Sequence, residues 1–341
     1  QALRTEEGPG DLPLHQGDPV IPEDGRKKAF AMKKYDIICI GMAFIDSIIR
    51  GFDPKPFSAS GYRAESGSLN VGGEAVNEAV AASKLGMKAA VLCSVGQDSA
   101  GDMVIGALEK MQMDTSLIIR SDRHATPVTT MFVREDGTRR SITNQAHTYN
   151  FHPEKYAEVF TDARALILGS LFRAPFDDPV IIREVLTAAK AAGQLVFADT
   201  KIPNFRFLTL DDIADSLPLL DYITPNEDEA RHFTGRSIPE EMADEFLERG
   251  VKNVILKLGS AGCLFKNSDM TLRLPALPVE AVDSTGAGDN FVAGFASEIL
   301  RGSAPEQALR FGNACGAICT TAVGAGTALK NREQVKELLM R

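Results

Sequence analysis

Asp283, Ser284, Thr285, Gly286, Ala287, Gly288 and Asp289 run consecutively, and an apolar segment beginning at Phe291 follows. Gly286, Ala287 and Gly288 have little or no side chain, so their backbone N–H groups can approach a ligand closely. A helix expected to start near Gly288 adds the positive end of its dipole. Together these groups suit phosphate or a developing oxyanion. Asp289 would repel an anion at the same place. The conflict disappears if Asp289 faces a hydroxyl. Its carboxylate then takes the hydroxyl proton while the amides hold the phosphoryl group that the oxygen attacks. Taken alone, an acid after glycine also suits a plain helix start.

The elements that must position these residues follow from hydrophobic pattern. "YDIICIGMA", "AAVLCSVG", "ALILGS", "LVFAD", "YITPN" and "NVILKLG" are short apolar runs of the kind that form buried strands. "NEAVAASKLG", "DPVIIREVLTAAKAAG" and "NEDEARHFTG" between them read as helices, and Gly86 is a natural stop for the first. After Asp289 the chain is mainly helical, in "FVAGFASEILRG", "PEQALRFGNACGAICTTAVG" and "NREQVKELLMR". Repeated strand, helix, strand predicts an α/β fold, a mostly parallel sheet flanked by helices. Two stretches break the alternation, residues 47–71 and 126–145. The second reads as two strands joined at Glu135-Asp136-Gly137. Together they suit a small β-flap that acts as a lid over the carboxyl ends of the strands. A plain surface hairpin is the alternative.

The whole run from Asp283 to Gly294 resembles the C-terminal signature of the ribokinase-like (PfkB) carbohydrate kinases. "Gly72-Gly73-Glu74-Ala75-Val76-Asn77-Glu78-Ala79" resembles the family's N-terminal motif, with Gly86 and Gly96 at the expected spacing. "Thr224-Pro225-Asn226-Glu227-Asp228-Glu229" and "Lys257-Leu258-Gly259-Ser260-Ala261-Gly262" are similar to two further motifs, in the family's order. The resemblance covers roughly residues 33–341, and the domain is expected over residues 32–341.

The resemblance implies an ATP-dependent sugar kinase using Mg²⁺, in a ribokinase-like fold with a lid. Asp289 is then the catalytic base, with Gly286, Ala287 and Gly288 as the anion hole. Asp46, Gly72, Gly73 and Asn77 would line the sugar pocket, where a carboxylate can accept two hydrogen bonds from a diol. Asn226, Glu229, Lys257, Gly259, Gly262 and Asn313 would surround the nucleotide, with Glu229 meeting Mg²⁺ through water. Asn226 and Glu229 equally suit a helix cap. Gly259 and Gly262 suit a strand-hairpin turn, and Asn313 a polar residue inside a helix. A monovalent cation such as K⁺ is implied at Asp283, Thr285, Cys319, Ala322, Gly324 and Ala328, where Ala328 replaces a hydroxyl residue of some relatives.

Ribokinases proper carry Lys after the paired glycines, whereas this chain has Glu74, which argues for a different sugar. Arg173, at another strand end, can reach an acidic group on the substrate, although a solvated arginine is the plainer reading. Asn144 and Gln145 of the flap are placed to touch the sugar. His147 and His152 read as bystanders. A nucleoside kinase with the same machinery is the nearest alternative, and a sugar-binding protein without catalysis is the alternative from another class. "Gly41-Met42-Ala43-Phe44-Ile45-Asp46" lacks the glycines of a dinucleotide fingerprint, and the chain has no Walker-type Gly-Lys pair.

Among 341 residues, 37 lysines and arginines face 46 acids, a formal charge of −9. That balance disfavours broad nucleic-acid or anionic-membrane binding. The five cysteines, Cys39, Cys93, Cys263, Cys315 and Cys319, are an odd set without a CxxC pair and read as core thiols of a reducing, cytoplasmic compartment. No apolar run approaches the roughly 20 residues that span a bilayer. Residues 1–31, rich in Pro, Gly and charge, are expected to be a disordered leader or an appended extension. Pairing of two chains through the flap is expected by analogy with relatives.

Overall fold

The computed structural model describes residues 33–51, 63–134, 139–144 and 149–340. The leader expected over residues 1–31, the Glu135-Asp136-Gly137 turn, Gln145 and His147 lie outside them. The chain enters a large sheet with β1 (Tyr35–Ile40) and leaves it for a small sheet in β2 (Phe44–Arg50) and β3 (Ser66–Gly72). It returns through α1 (Glu74–Lys84), β4 (Ala89–Gly96), α2 (Ser99–Lys110) and β5 (Ile118–Ser121). A second excursion supplies β6 (Val128–Val133) and β7 (Arg139–Thr143) to the small sheet. The main sheet resumes with β8 (Ala163–Leu171), α3 (Pro179–Ala191), β9 (Leu195–Thr200), β10 (Tyr222–Ile223), α4 (Glu227–Thr234), α5 (Pro239–Glu248) and β11 (Asn253–Lys257). After β12 (Cys263–Asn267) and β13 (Thr271–Leu274) come α6 (Ala287–Leu300), α7 (Pro305–Cys319) and α8 (Arg332–Leu339).

Among the described residues the large sheet runs β13-β12-β11-β10-β9-β8-β1-β4-β5 and the small one β3-β2-β6-β7. Strands β11 through β5 of the large sheet are parallel, while β12 and β13 fold back antiparallel. The parallel strands are apolar on both faces because both faces are covered. Ile37, Cys39, Val91 and Ile167 pack with Phe291, Phe295 and Leu309 on one side. Ile38, Ile40, Leu92 and Leu168 pack with Phe160, Leu186 and Phe246 on the other. Four helices, α2, α3, α4 and α8, begin where a short polar side chain satisfies an open amide. Asp178 accepts from Val180 N at 2.9 Å before α3, and Asn226 and Glu229 form a reciprocal capping box before α4.

The expected β-flap is present as the small sheet, and its first strand begins at Phe44, three residues earlier than the stretch the sequence marked. "YITPN" contributes only the two-residue β10, because Pro225 and the cap at Asn226 end it. All five cysteines are buried and carry free thiols. Among the described residues no helix is long and apolar enough to cross a membrane.

Candidate active site

The carboxyl ends of β1, β9 and β11 lie on one edge of the sheet, and the start of α6 meets them there. Helix α6 starts at Ala287, one residue before the expected position, with Gly286 as its cap at φ 77°. A Cβ on Gly286 would stand 2.2 Å from the Ala325 side chain, so the turn needs glycine both for conformation and for room. The Ala287 N–H donates to Ser284 O at 3.2 Å and closes this turn. Asp289 lies in the first turn, 6% exposed, and its Oδ2 accepts from Asn77 Nδ2 at 2.7 Å. Burial is the main cause that raises its carboxyl to about 6; Lys201 and the Asn77 bond pull it down, while Glu74 and Asp199 push it up. A base with that pKa is ionised at neutral pH yet able to take a proton.

Two lysines complete the charge pattern. Lys257 Nζ, at the end of β11, lies 2.5 Å from Asp199 Oδ1. It also lies 3.1 Å from where a Cβ on Gly288 would be, so its ammonium flanks the small-residue turn. Asp199 is 1% exposed and takes further bonds from Thr224 Oγ1 and Thr200 N. Lys201, just past β9, pairs with Glu74 Oε1 at 3.4 Å, and Ser170 Oγ donates to Glu74 Oε2 at 2.9 Å. Sequence reasoning missed Asp199, Lys201 and Ser170. The available signal was an acid ending the apolar run "LVFAD" at what had to be the ligand edge of the sheet.

The remaining expected residues fall into three groups. On the flap side, Asp46 lies in β2 opposite Asn70 of β3, and Gly72 closes on it: a Cβ there would be 2.5 Å from Asp46 Oδ2. Gly73 then caps α1, whose first turn carries Asn77 to Asp289. On the opposite side, Asn226 bridges Lys257 through backbone pairing. Its side chain accepts from Glu229 N, and Glu229 Oε2 accepts from Asn226 N and Thr200 Oγ1, each at 2.9 Å. Burial holds the Glu229 carboxyl above the ordinary range. Gly259 and Gly262 form the turn between β11 and β12, and Asn313 of α7 donates to Pro275 O at 3.3 Å. Arg173 donates its Nε to Ile202 O, Asn144 accepts from Val128 N within the flap, and His152 meets Glu154.

Of the six positions expected to hold a monovalent cation, Asp283, Thr285, Cys319 and Gly324 are linked to one another beside Gly286. Asp283 accepts from Thr285 N and Oγ1 and from Gly324 N. The Cys319 thiol donates to Thr285 O and Ala325 O at 3.4 Å each, and Gln334 Nε2 donates to Ala328 O at 3.2 Å. Ala325 O also accepts from Asn290 Nδ2 at 2.9 Å. Ala322 lies in the same loop, half-buried. Among the described residues no cluster of three His, Cys, Asp or Glu side chains is arranged to hold a metal ion. An open cleft of about 550 Å³ lined by Gln97, Asp98, Arg123 and His124 lies at the ends of β4 and β5 and does not include Asp289.

A buried carboxylate beside a small-residue turn, with Lys257 and Lys201 close by, is an arrangement that suits phosphate chemistry. The chain belongs to the pfkB family of carbohydrate kinases, whose pattern it matches over residues 34–332. It is therefore a phosphotransferase that acts on a sugar hydroxyl. It is 27% identical over 320 residues to an ATP-dependent 6-phosphofructokinase of Thermoanaerobacterium thermosaccharolyticum, covering 92% of this chain and 96% of that protein. A ribokinase structure from Thermotoga maritima is 28% identical with a TM-score of 0.73, covering 90% of this chain and 100% of that one. The Arabidopsis thaliana ribokinase complexed with ribose and ATP superposes at TM-score 0.77 with 24% identity, covering 90% and 99%. The large sheet with its small companion is the ribokinase fold.

Proposed function

We propose that this chain transfers the γ-phosphoryl group of ATP to a primary hydroxyl of a small carbohydrate, with Asp289 as the base. The observation that carries this reading is the buried Asp289 carboxyl, raised to about 6 and held by Asn77 at the mouth of the Gly286–Gly288 turn. Asp46 and the paired glycines orient the sugar so that its hydroxyl meets Asp289. Asp289 takes the proton as the oxygen attacks phosphorus, and the Gly286 and Gly288 amides hold the phosphoryl oxygens, while the Ala287 amide, bonded to Ser284 O, would have to release it to join them. Lys257 and the loop from Gly259 to Gly262 flank the nucleotide. Mg²⁺, met through water near Glu229, would neutralise phosphate charge. K⁺ at the Asp283–Thr285 and 322–328 loops would steady the turn. The exposed Leu69 and Ile142 of the small sheet suit pairing with a second copy.

An ADP-release assay over neutral sugars, ketoses, acid sugars, sugar phosphates and nucleosides identifies the acceptor. With that acceptor, Asp289→Asn is expected to lower kcat at least about 100-fold while Mg·ADP affinity stays near wild type. Wild-type kcat/KM should fall as pH drops below about 6, because the base must be ionised to accept the proton. Turnover by Asp289→Asn at the wild-type rate would refute the assignment. Exchanging K⁺ for Na⁺ in the same assay is expected to slow turnover, and an unchanged rate removes K⁺ from the reading.

A further inference from the structure

Only one of the two ammonium groups at the site, Lys257, lies in a motif that the sequence brought forward. The other, Lys201, follows directly on Thr200, the last residue of β9. Its backbone N–H donates to Leu171 O at 3.0 Å, which hooks its turn to the end of β8. Its Nζ rests 3.4 Å from Glu74 Oε1, with the two side chains 28% and 22% exposed. Ser170 fixes the other Glu74 oxygen at 2.9 Å. Glu74 itself begins α1, one turn before the Asn77 amide that holds Asp289.

We propose that Lys201 is the cation that meets the transferring phosphoryl group, aimed from the end of β9 by Glu74. The inference rests on the kinase reading above and assigns a residue that reading does not use. Position 74 supports it. Ribokinases proper place a lysine directly after the paired glycines, and here that place holds an acid with an ammonium brought to it from across the sheet edge. Charge balance supports it as well. Asp289, Asp199, Glu74 and Glu229 surround Lys201, and a triphosphate entering that set would be repelled unless cations meet it. Lys257 is committed to Asp199 at 2.5 Å. Lys201 holds Glu74 at the longer distance and can turn toward a phosphoryl oxygen without leaving a buried charge alone, because Ser170 still serves Glu74. Burial disfavours the charged lysine, but Glu74, Asp199, Asp289 and Glu229 outweigh it and hold its pKa well above the ordinary lysine value, so the cation is permanent.

In the step itself the bond from the sugar oxygen to the γ-phosphorus forms as the bond to the β–γ bridging oxygen breaks. The hydroxyl proton goes to Asp289 and the leaving electron pair stays on ADP. Lys201 exchanges no atom; it neutralises charge on the non-bridging oxygens of the group in flight.

Calorimetric titration with Mg·ADP and with the Mg-bound β,γ-imido analogue of ATP tests this. Lys201→Gln is expected to bind the diphosphate within about twofold of wild type and the triphosphate analogue about tenfold more weakly, since a charged hydrogen bond to the third phosphate is lost. Lys201→Arg should restore most of that affinity, and Glu74→Gln, which keeps the ammonium, should bind the analogue within about threefold of wild type. Mg·ADP binding also certifies that each variant is folded. If Lys201→Gln weakens both nucleotides alike, or neither, Lys201 is not the phosphoryl cation. If wild-type protein binds no triphosphate analogue, the kinase reading fails instead.

Discussion

Glu78 is wholly buried one position beyond Asn77, and neither carboxylate oxygen meets a hydrogen-bond donor among the described residues. Burial raises its pKa well above the ordinary glutamate range; Asp199 and Asp289 push the same way, Lys257 opposes them, and Glu74 adds to the rise. The folded chain therefore keeps a proton here that the unfolded chain releases above about pH 4.5. The sign follows from that proton. The contribution to stability is fully present below the ordinary glutamate pKa and is lost as pH rises toward the folded value, at about 1.4 kcal/mol per unit. Glu78→Gln keeps the shape and removes the titration. Its melting temperature is expected to exceed wild type by a margin that widens from pH 5 to pH 8. A margin that is flat or shrinks with pH would show that Glu78 is ionised in the fold. The same neutral acid matters to the site, because a charged Glu78 would raise the Asp289 carboxyl further and weaken it as an anion at neutral pH.

Helix α1 does for the site what no single residue does. Its first five residues include Glu74, Asn77 and Glu78, spaced to share one helix face; Glu74 pairs with Lys201, Asn77 holds Asp289, and Glu78 is buried within electrostatic reach of Asp199 and Asp289. This start of the helix must press against the end of β8. A Cβ on Gly169 would come within 2.6 Å of Ala75 N, a backbone atom that cannot swing away. Gly169→Ala is therefore expected to cost about 1–3 kcal/mol of stability by overpacking. It should also lower kcat for the identified sugar, since a displaced α1 withdraws Asn77 from Asp289. Gly106→Ala is the control. It lies inside α2 with nothing within 4 Å of the new Cβ, so it should stabilise by about 0.5–1 kcal/mol and leave kcat alone. Equal effects of the two substitutions on kcat would show that the close approach at Gly169 does not position the site.

At the scale of the whole molecule, legibility followed sequence distance. β1, β4 and α6 were readable because each is a local apolar pattern with its own stop signal, and the Gly286–Asp289 run was readable as a helix start within a few residues. The Asp199–Lys257 pair spans 58 residues and the Lys201–Glu74 pair crosses from β9 to α1, so neither exists until the sheet is assembled. The antiparallel β12 and β13 escaped because strands of five and four residues carry too little alternation to stand out. The flap was legible as an exception, and its connections say what it can do. The chain leaves the large sheet for the small one twice, after β1 and after β5, and the first excursion returns at Gly73, directly before α1. Most of β3 is exposed, whereas α6 is buried along nearly its whole length. Closure over a bound sugar should therefore change the flap and not the core. In hydrogen exchange with the identified sugar and Mg·ADP together, amides of β2 and β3 are expected to slow about tenfold or more, while those of α6 stay as they were. Nucleotide alone should protect the 257–262 turn without slowing the flap, because in the proposed reading the sugar bridges Asp46 on β2 to Asp289 on α6. Flap amides that exchange at one rate in every ligand state would mean that the small sheet is a fixed wall, and that water must be kept from the phosphoryl group by something other than its closure.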